Sequence, residues 1–509
     1  MSFAEQSPLT VGILIIVITL LLKKIHKAIF APWENCPPGV ILGMPSSFNP
    51  VKVYQQVQLI SSSPLKAFHQ MIQENGPIIR ISTGGNIAVL LGGLEAIKEF
   101  SSMEETTARP YNKTLLDLYS MGEPLGFGIG IGGPRWKEQR RFATKALKDL
   151  YEGQRGLEEK IQREVYHTIQ DLRERIARDK MRVLAKTGTY FEVPNLNVIW
   201  GLVGASRYTF EDAEPKKQFG YLRTLLGEKL AGPMTFVPYI NSVPPFSRIY
   251  KNIINAMDSF RETLIRVIAE QKATFDESNP PRGYIDLFLK AQKEGQGEFF
   301  TNKDLLIGCQ DLFIAGSETT SSSLTSLILY MILYPDVQKR VQQEIDDRVG
   351  TDREVTFADK ANLPFTDATI MEVRRIASPF PVTPPRASMT KDLVIGGYTI
   401  PKGVPVQLVL YSVLRGKDYW EDPDKFDPDR FFDDHGKLVV PEAFIPFSYG
   451  KRRCIGEKLG IVSNFIFFAN LMQNFSFSPE DPKNPPSEEL VGGLTYCPEP
   501  FNVRITPRF

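Results

Sequence analysis

The first strong pattern is an apolar run from Leu9 to Leu22, broken only by Thr10, Gly12 and Thr19, with Lys23, Lys24 and Lys27 directly behind it. A spanning helix needs ~20 apolar residues. The run alone is short, but lysines can snorkel, and Ile25, Ala28, Ile29, Phe30 and Ala31 extend the apolar contact. A cleaved signal peptide would carry its positive charge ahead of the run and a small-residue site behind it. Met1 to Pro8 holds only Glu5 as a charged side chain. The pattern predicts an uncleaved transmembrane anchor helix over residues 1–31, with the basic cluster and the following chain in the cytosol. Pro32, Pro37, Pro38 and Gly39 forbid helix continuation and predict a stiff hinge over 32–45. Residues 46–509 remain as the folded part.

Within that part, Ile78 to Thr83 and Ile87 to Leu91, joined through Gly84-Gly85-Asn86, predict a β-hairpin. Val394 to Pro401 and Val404 to Tyr411 predict further strands. Most other long stretches have helical spacing, including Leu157 to Ala177 and Asn255 to Gln271. The longest helix is predicted from Lys303 to Tyr334, starting behind Thr301-Asn302 and stopped by Pro335. The fold class is mainly α with a minor β-sheet placed early and late.

Composition narrows the classes. The chain has 509 residues, 42% apolar and 23% charged, which is ordinary for a globular protein. Lys and Arg total 60 against 59 Asp and Glu, so charge gives no support for nucleic-acid binding. Cys36, Cys309, Cys454 and Cys497 form no CxxC pair, and the four histidines are dispersed, so zinc and a disulfide framework are poorly supported.

The candidate chemistry gathers around Phe447-Ser-Tyr-Gly450-Lys-Arg452-Arg-Cys454-Ile-Gly456. A lone cysteine is usually a buried structural residue. Here glycines flank it and let backbone pass close to a flat partner. Arg452 offers charge to an acid group, and the apolar run Leu459 to Leu471 places the cysteine just before a helix. Helix starts lower thiol pKa and favour thiolate, and a thiolate ligand to haem iron favours O–O cleavage.

This segment resembles the haem-binding loop of the cytochrome P450 family, with Phe447, Gly450, Arg452, Cys454 and Gly456 matching at fixed spacing. Five such matches arise by chance in a chain of this size on the order of 10⁻⁴. Other elements of the family follow in order. Ala315-Gly-Ser-Glu318-Thr319-Thr320 resembles the oxygen-activation motif, in which Gly316 and nearby hydroxyls can loosen helical hydrogen bonds and open a groove. The acid Glu318 and the alcohol Thr319 can relay protons there. Glu372 and Arg375 match the ExxR pattern and Arg430 the third member of its buried charge network. Asp429 stands where the family more often has glutamate. Trp136 and Arg140 match the WxxxR helix.

The resemblance implies a cytochrome P450 fold with haem b held by Cys454. It implies Trp136, Arg109, Arg140, Arg386 and Arg452 as donors to the propionates, and Arg386 stands where many animal relatives have histidine. The anchor and proline hinge resemble microsomal members, and several stretches resemble the animal drug- and hormone-metabolising branch. The run from Tyr411 through Trp420 to Phe431 leans towards arthropod members.

The implied activity is a haem-thiolate monooxygenase, inserting one atom of O₂ by hydroxylation or epoxidation into an apolar small molecule. A terpenoid or steroid hormone, a signal precursor and a xenobiotic all suit the apolar composition of the pocket segments. Those segments are Thr114 to Ile129, roughly Tyr208 to Ile254, the face around Ile307, Gln310, Asp311 and Ile314, Ser378 to Pro384, and the turn at Leu490 to Cys497. Asp311 reads as a structural residue. Electrons would come from NADPH–cytochrome P450 reductase, with cytochrome b5 a further candidate partner, at the endoplasmic reticulum membrane. Lys451, Arg453, Lys458, Lys137 and Arg141 would form the basic docking face. The rival reading is a non-enzymatic haem-thiolate gas or lipid sensor, which would leave Glu318 and Thr319 without purpose.

Overall fold

The structure, a computed structural model, describes residues 35–42, 63–83, 86–152, 156–179, 183–184, 187–226, 241–295, 297–493 and 495–509. The expected anchor, most of the hinge, and the pocket residues Phe236 and Leu494 lie outside the described residues. Among the described residues no helix is long and apolar enough to cross a membrane.

Helices dominate. Those that build the site are α1 (Gly133–Glu152), α2 (Leu157–Asp179), α3 (Glu192–Val203), α4 (Ala213–Leu226), α5 (Phe246–Ala273), α6 (Asn302–Leu333), α7 (Pro364–Ile376) and α8 (Glu457–Asn474). α6 starts where its sequence says it should. The Thr301 side chain accepts from the Asp304 amide, and the Asp304 carboxylate accepts from the Thr301 amide, a reciprocal cap for the first free N–H groups. Pro335 opens the next helix and ends this one. At 1.5 Å per residue its 32 residues run about 48 Å. Buried side chains surround α6 on nearly every side, as befits a helix packed among α3, α5 and α8.

The minor sheet joins β1 (Gly39–Leu42), β2 (Ile78–Thr83), β3 (Asn86–Leu91) and β4 (Val406–Leu408). β1 runs parallel to β2, and β4 runs parallel to β3. β2 and β3 form the expected hairpin, with Ile78 opposite Leu91 and Thr83 opposite Asn86. Two expected strands are corrected. Val394 to Pro401 is not one strand: Gly396 and Gly397 take φ of +54° and +82° and fold Leu393–Ile395 back onto Tyr398–Ile400. Of Val404 to Tyr411 only β4 pairs in the sheet. Leu410–Leu414 is a short helix that buries Leu410, Val413 and Leu414, a spacing of three and four that a strand cannot place on one face.

A charge cluster ties α7 to the loops beyond it. Glu372 and Arg375 are fully buried and joined by two hydrogen bonds, 2.7 and 2.9 Å. The Glu372 carboxylate also accepts from Arg430 Nε (2.9 Å) and the Asp427 amide (3.0 Å). Arg375 donates to the carbonyls of Leu414 and Pro423, both at 2.8 Å. Asp429 faces outwards and pairs with Arg340 (2.8 and 2.9 Å), so its change from glutamate does not touch this network. Glu372→Leu should cost about 3–5 kcal/mol, because two arginines lose their buried counter-charge. Urea unfolding followed by circular dichroism checks this, and a loss below ~1 kcal/mol would contradict it.

Candidate cofactor and catalytic site

The Cys454 loop is shaped by where its backbone has to turn. Ser448 and Gly450 have φ of +64° and +73°. A Cβ at Gly450 would run into the Ser101 carbonyl oxygen, so glycine alone lets the loop lie against the Leu94–Ser102 helix. Gly450–Arg452 closes one 3-10 turn, the Cys454 amide donates to the Phe447 carbonyl (3.1 Å), and Gly456 caps α8. The Gly456 glycine has a different status: a Cβ there would sit 3.8 Å from Cys454 Sγ, an ordinary contact.

The helix start alone predicts a lowered thiol pKa, and the structure reverses this. Cys454 is accessible at the edge of a groove, yet the enclosing chain desolvates its sulfur and raises the pKa. The Gly456 N–H, Arg140 and Arg453 oppose that rise, while Glu457 adds to it. A coordinating thiol is deprotonated by its metal, so haem iron held by Cys454 would keep the sulfur as thiolate despite that burial.

Four arginines gather beside the loop. Buried Arg452 donates twice to the Thr107 carbonyl (2.9 and 2.7 Å), and to Gly130 O (2.6 Å) and Gly128 O (3.2 Å). Its guanidinium lies 3.9 Å from the Trp136 ring centre. Arg109 donates to the carbonyls of Pro384, Pro385 and Gly128, each at 3.1 Å, and its Nε is buried without a partner. Arg386 reaches Ser101 Oγ (3.4 Å) and Ser448 Oγ (3.3 Å). Arg140 donates to the Arg453 carbonyl. The Trp136 indole N–H is taken up by the Phe127 carbonyl (3.0 Å).

Burial lowers the pKa of all four, to about 10 for Arg109, about 9 for Arg386 and about 7 for Arg452, and mutual repulsion lowers Arg109, Arg386 and Arg452 further. Arginine does not release its proton in a protein, so the strain stands as a demand for an anion. Haem, a flat ring carrying two carboxylate arms, fits this donor set and the sulfur beside it.

α6 supplies the second half of the fit. Between its ends this helix is mostly buried, yet Leu312, Ala315, Gly316, Glu318, Thr319 and Ser323 remain accessible, and all but Glu318 recur at three and four residues along one face. That is the signature of a helix lining an open space. The stripe passes close to α8, since a Cβ at Gly316 would lie 3.9 Å from Leu459 Cδ2 in the first turn after the cysteine loop. Gly316 does not break α6, which continues as regular helix. It is glycine because Ile199 of α3 occupies the place of its Cβ. Thr319 Oγ1 donates to the Ala315 carbonyl at 2.7 Å.

Glu318 points elsewhere. It hydrogen-bonds Thr495, and its Oε2 is buried without a partner. Burial raises its pKa to about 7, against the opposing effects of Thr495 and Arg223. Glu192 at the head of α3 is also raised to about 7, mainly by burial and further by Glu318, and it bonds Arg223 of α4. Nothing in the spacing of Glu192, Arg223 and Glu318 announces that they meet.

The expected pocket face at Ile307, Gln310, Asp311 and Ile314 is packed away. Gln310 donates to Tyr119 O (2.6 Å) and accepts from Arg261 Nε (3.1 Å). Asp311 Oδ2 accepts from the amides of Phe127 (2.7 Å) and Gly128 (3.0 Å). Asp311 thereby holds Phe127 and Gly128, the two residues whose carbonyls receive Trp136, Arg109 and Arg452. Asp311→Leu should leave two buried N–H groups unpaired, lowering stability by about 2–4 kcal/mol and lowering the haem-to-protein ratio on purification. Asp311→Asn, which keeps one oxygen to accept from the Phe127 and Gly128 amides, should lose less than the leucine variant. Equal haem content in wild type and the leucine variant would contradict the latch.

Comparison with known proteins agrees with this geometry. The chain matches the Cytochrome P450 family over residues 45–505. It is 34% identical over 453 residues to Cytochrome P450 2D28 of Mesocricetus auratus, covering 86% of this chain and 88% of the relative. It is 33% identical over 513 residues to Cytochrome P450 2D14 of Bos taurus, covering 98% of each. Among solved structures, a zebra fish cytochrome P450 with progesterone superimposes with a TM-score of 0.76 at 25% identity, over 87% of this chain and 99% of that one. Fold, motif order and relatives converge: the chain belongs to the cytochrome P450 family, and it is a monooxygenase whose cofactor is haem with a cysteine thiolate ligand.

Proposed function

We propose that this protein inserts one atom of O₂ into an apolar small molecule, using haem held by Cys454 and electrons from NADPH–cytochrome P450 reductase. The observation that carries the reading is the juxtaposition at Cys454. One sulfur stands at a helix head beside four arginines that form no salt bridge among the described residues and bond carbonyls and serines instead, near accessible residues on a largely buried helix. When bound, haem with a thiolate ligand supplies reductive activation of dioxygen and cleavage of its O–O bond.

The residues around it do the rest. Arg109, Arg140, Arg386 and Arg452 neutralise and orient the propionates, and Phe447, Gly450 and Gly456 shape the loop. Glu372, Arg375 and Arg430 act structurally, by fixing the elements beneath it. Thr319 Oγ1 keeps one bond to the helix and can accept and pass a proton on the accessible side. Glu318, its pKa raised by burial and its carboxyl turned to Thr495, would have to swing from that bond to pass a proton to Thr319. Leu115, Ile129 and Val382 are among the partly accessible apolar residues of the expected pocket walls, and Leu312 and Ala315 are accessible on α6. Asp311 is committed to its loop, so the residues facing the space favour a neutral, apolar substrate. A terpenoid or steroid hormone, a signal precursor and a xenobiotic fit that description.

Residues 1–31 would anchor the protein in the endoplasmic reticulum membrane, with 32–45 as hinge and 46–509 as the cytosolic catalytic domain. A groove of about 580 Å³ lined by Arg140, Thr144, Arg453, Lys458 and Cys454 opens beside the sulfur and supports electron entry from that side. Cytochrome b5 is a further candidate donor there.

Co-expression with the reductase, followed by mass spectrometry of apolar metabolites, tests the reading; NADPH-dependent gain of one oxygen is expected. On a substrate so found, Thr319→Ala should lower product formation about tenfold or more while NADPH is still consumed and hydrogen peroxide released. Unchanged product per NADPH would remove Thr319 from the proton path.

A further inference from the structure

Resting on the reading that a reductase docks beside Cys454, we infer that Glu104 is a built-in competitor for that partner. The face it occupies is basic for a simple reason. Lys137, Arg141 and Lys145 are exposed and recur every four residues along α1, so they share one side of the helix. Lys451 and Arg453 project from the cysteine loop beside it.

Glu104 sits in the Glu104–Thr107 turn and reaches both elements at once. Its Oε1 lies 2.5 Å from Lys137 Nζ, and its Oε2 pairs with Lys451 Nζ. All three side chains are about half exposed, so the carboxylate is neither buried nor needed to neutralise a buried charge. It stands on the surface in the position an incoming acidic side chain would take. The nearby Arg453 is paired with Glu457 on its own segment (2.6 Å), which leaves Lys137 and Lys451 as the cations shared across two elements.

The same turn also touches the site. The Thr107 carbonyl at its far end receives Arg452 Nε and Nη2, so Glu104 and the arginine cluster hang on one short piece of backbone. An acidic partner that binds Lys137 and Lys451 has to displace or outbid Glu104, and the carboxylate repels it on approach. The consequence is a donor face kept weaker than its lysine count implies, which favours turnover of a transient electron-transfer complex over tight association.

The test is reductase affinity, measured on the full-length haem-loaded protein in phospholipid vesicles as the reductase concentration giving half-maximal reduction rate. Glu104→Gln should tighten binding about fivefold at low ionic strength. The gain should vanish near 0.5 M salt, where the screening length is ~4 Å. Glu104→Asp, which keeps the charge, should behave as wild type, and the carbon monoxide spectrum of each variant reports that the haem site is intact. Arg141→Glu with Lys451→Glu serves as the control for docking itself and should weaken binding. If the control weakens binding but Glu104→Gln is unchanged, the competitor role is wrong and the docking face stands. If Glu104→Gln weakens binding, Glu104 organises the lysines and the inference is overturned. If neither changes affinity, the reductase docks elsewhere and the inference falls with that reading.

Discussion

Like charges held close together set the terms for this site. Burial and the charge of Arg140 lower the pKa of Arg109, Arg386 and Arg452; Arg109 lowers Arg386 and Arg452 further, and Arg386 lowers Arg452. Their hydrogen bonds go to carbonyls and serines, which leaves their charge unpaired and one donor, Arg109 Nε, without a partner. The carboxylate that acts on Arg109 and Arg452 is Asp311, and it is spent on two backbone amides. Buried charge without a counter-ion is expensive. A dicarboxylate cofactor relieves that cost, and by binding the folded state alone it also stabilises the fold.

The surrounding architecture keeps those arginines from escaping the strain by moving. Arg452 is pinned by the Thr107, Gly128 and Gly130 carbonyls and by the Trp136 ring, and α1 carries both Trp136 and Arg140. The Glu372 cluster does the same for the region between Leu414 and Arg430, with four hydrogen bonds from two arginines and one amide converging on one carboxylate and Arg375 also donating to the Leu414 carbonyl. Rigid surroundings on both sides leave α6 as the wall on which chemistry can vary. There Thr319 is accessible and Glu318 is held near neutral pKa by burial.

What could be read in the sequence was whatever a short segment dictates by itself. Gly450 must be glycine because of a local turn, the Glu372–Arg375 pair is set by helical spacing, and the Thr301 cap and Pro335 bound α6. The fold class and the members of the site followed from such segments together with the family resemblance. What escaped was decided by distant neighbours. Leu410–Leu414 is too short for its period to separate helix from strand. Gly316 answers to Ile199, 117 positions away in the chain by 316 − 199, and not to a loosened helix. The rise in the Cys454 thiol pKa comes from enclosure, which no local motif reports. Glu104, Glu192 and Arg223 acquire meaning only when separate elements fold together.

The central claim is that Cys454, and none of the other cysteines, binds the haem iron. X-ray absorption at the iron edge reads the ligand directly. The wild-type protein, Cys309→Ser and Cys497→Ser should each show one sulfur neighbour, and Cys454→Ser should show none. A sulfur neighbour that persists in Cys454→Ser, or disappears in either of the other variants, would contradict the account.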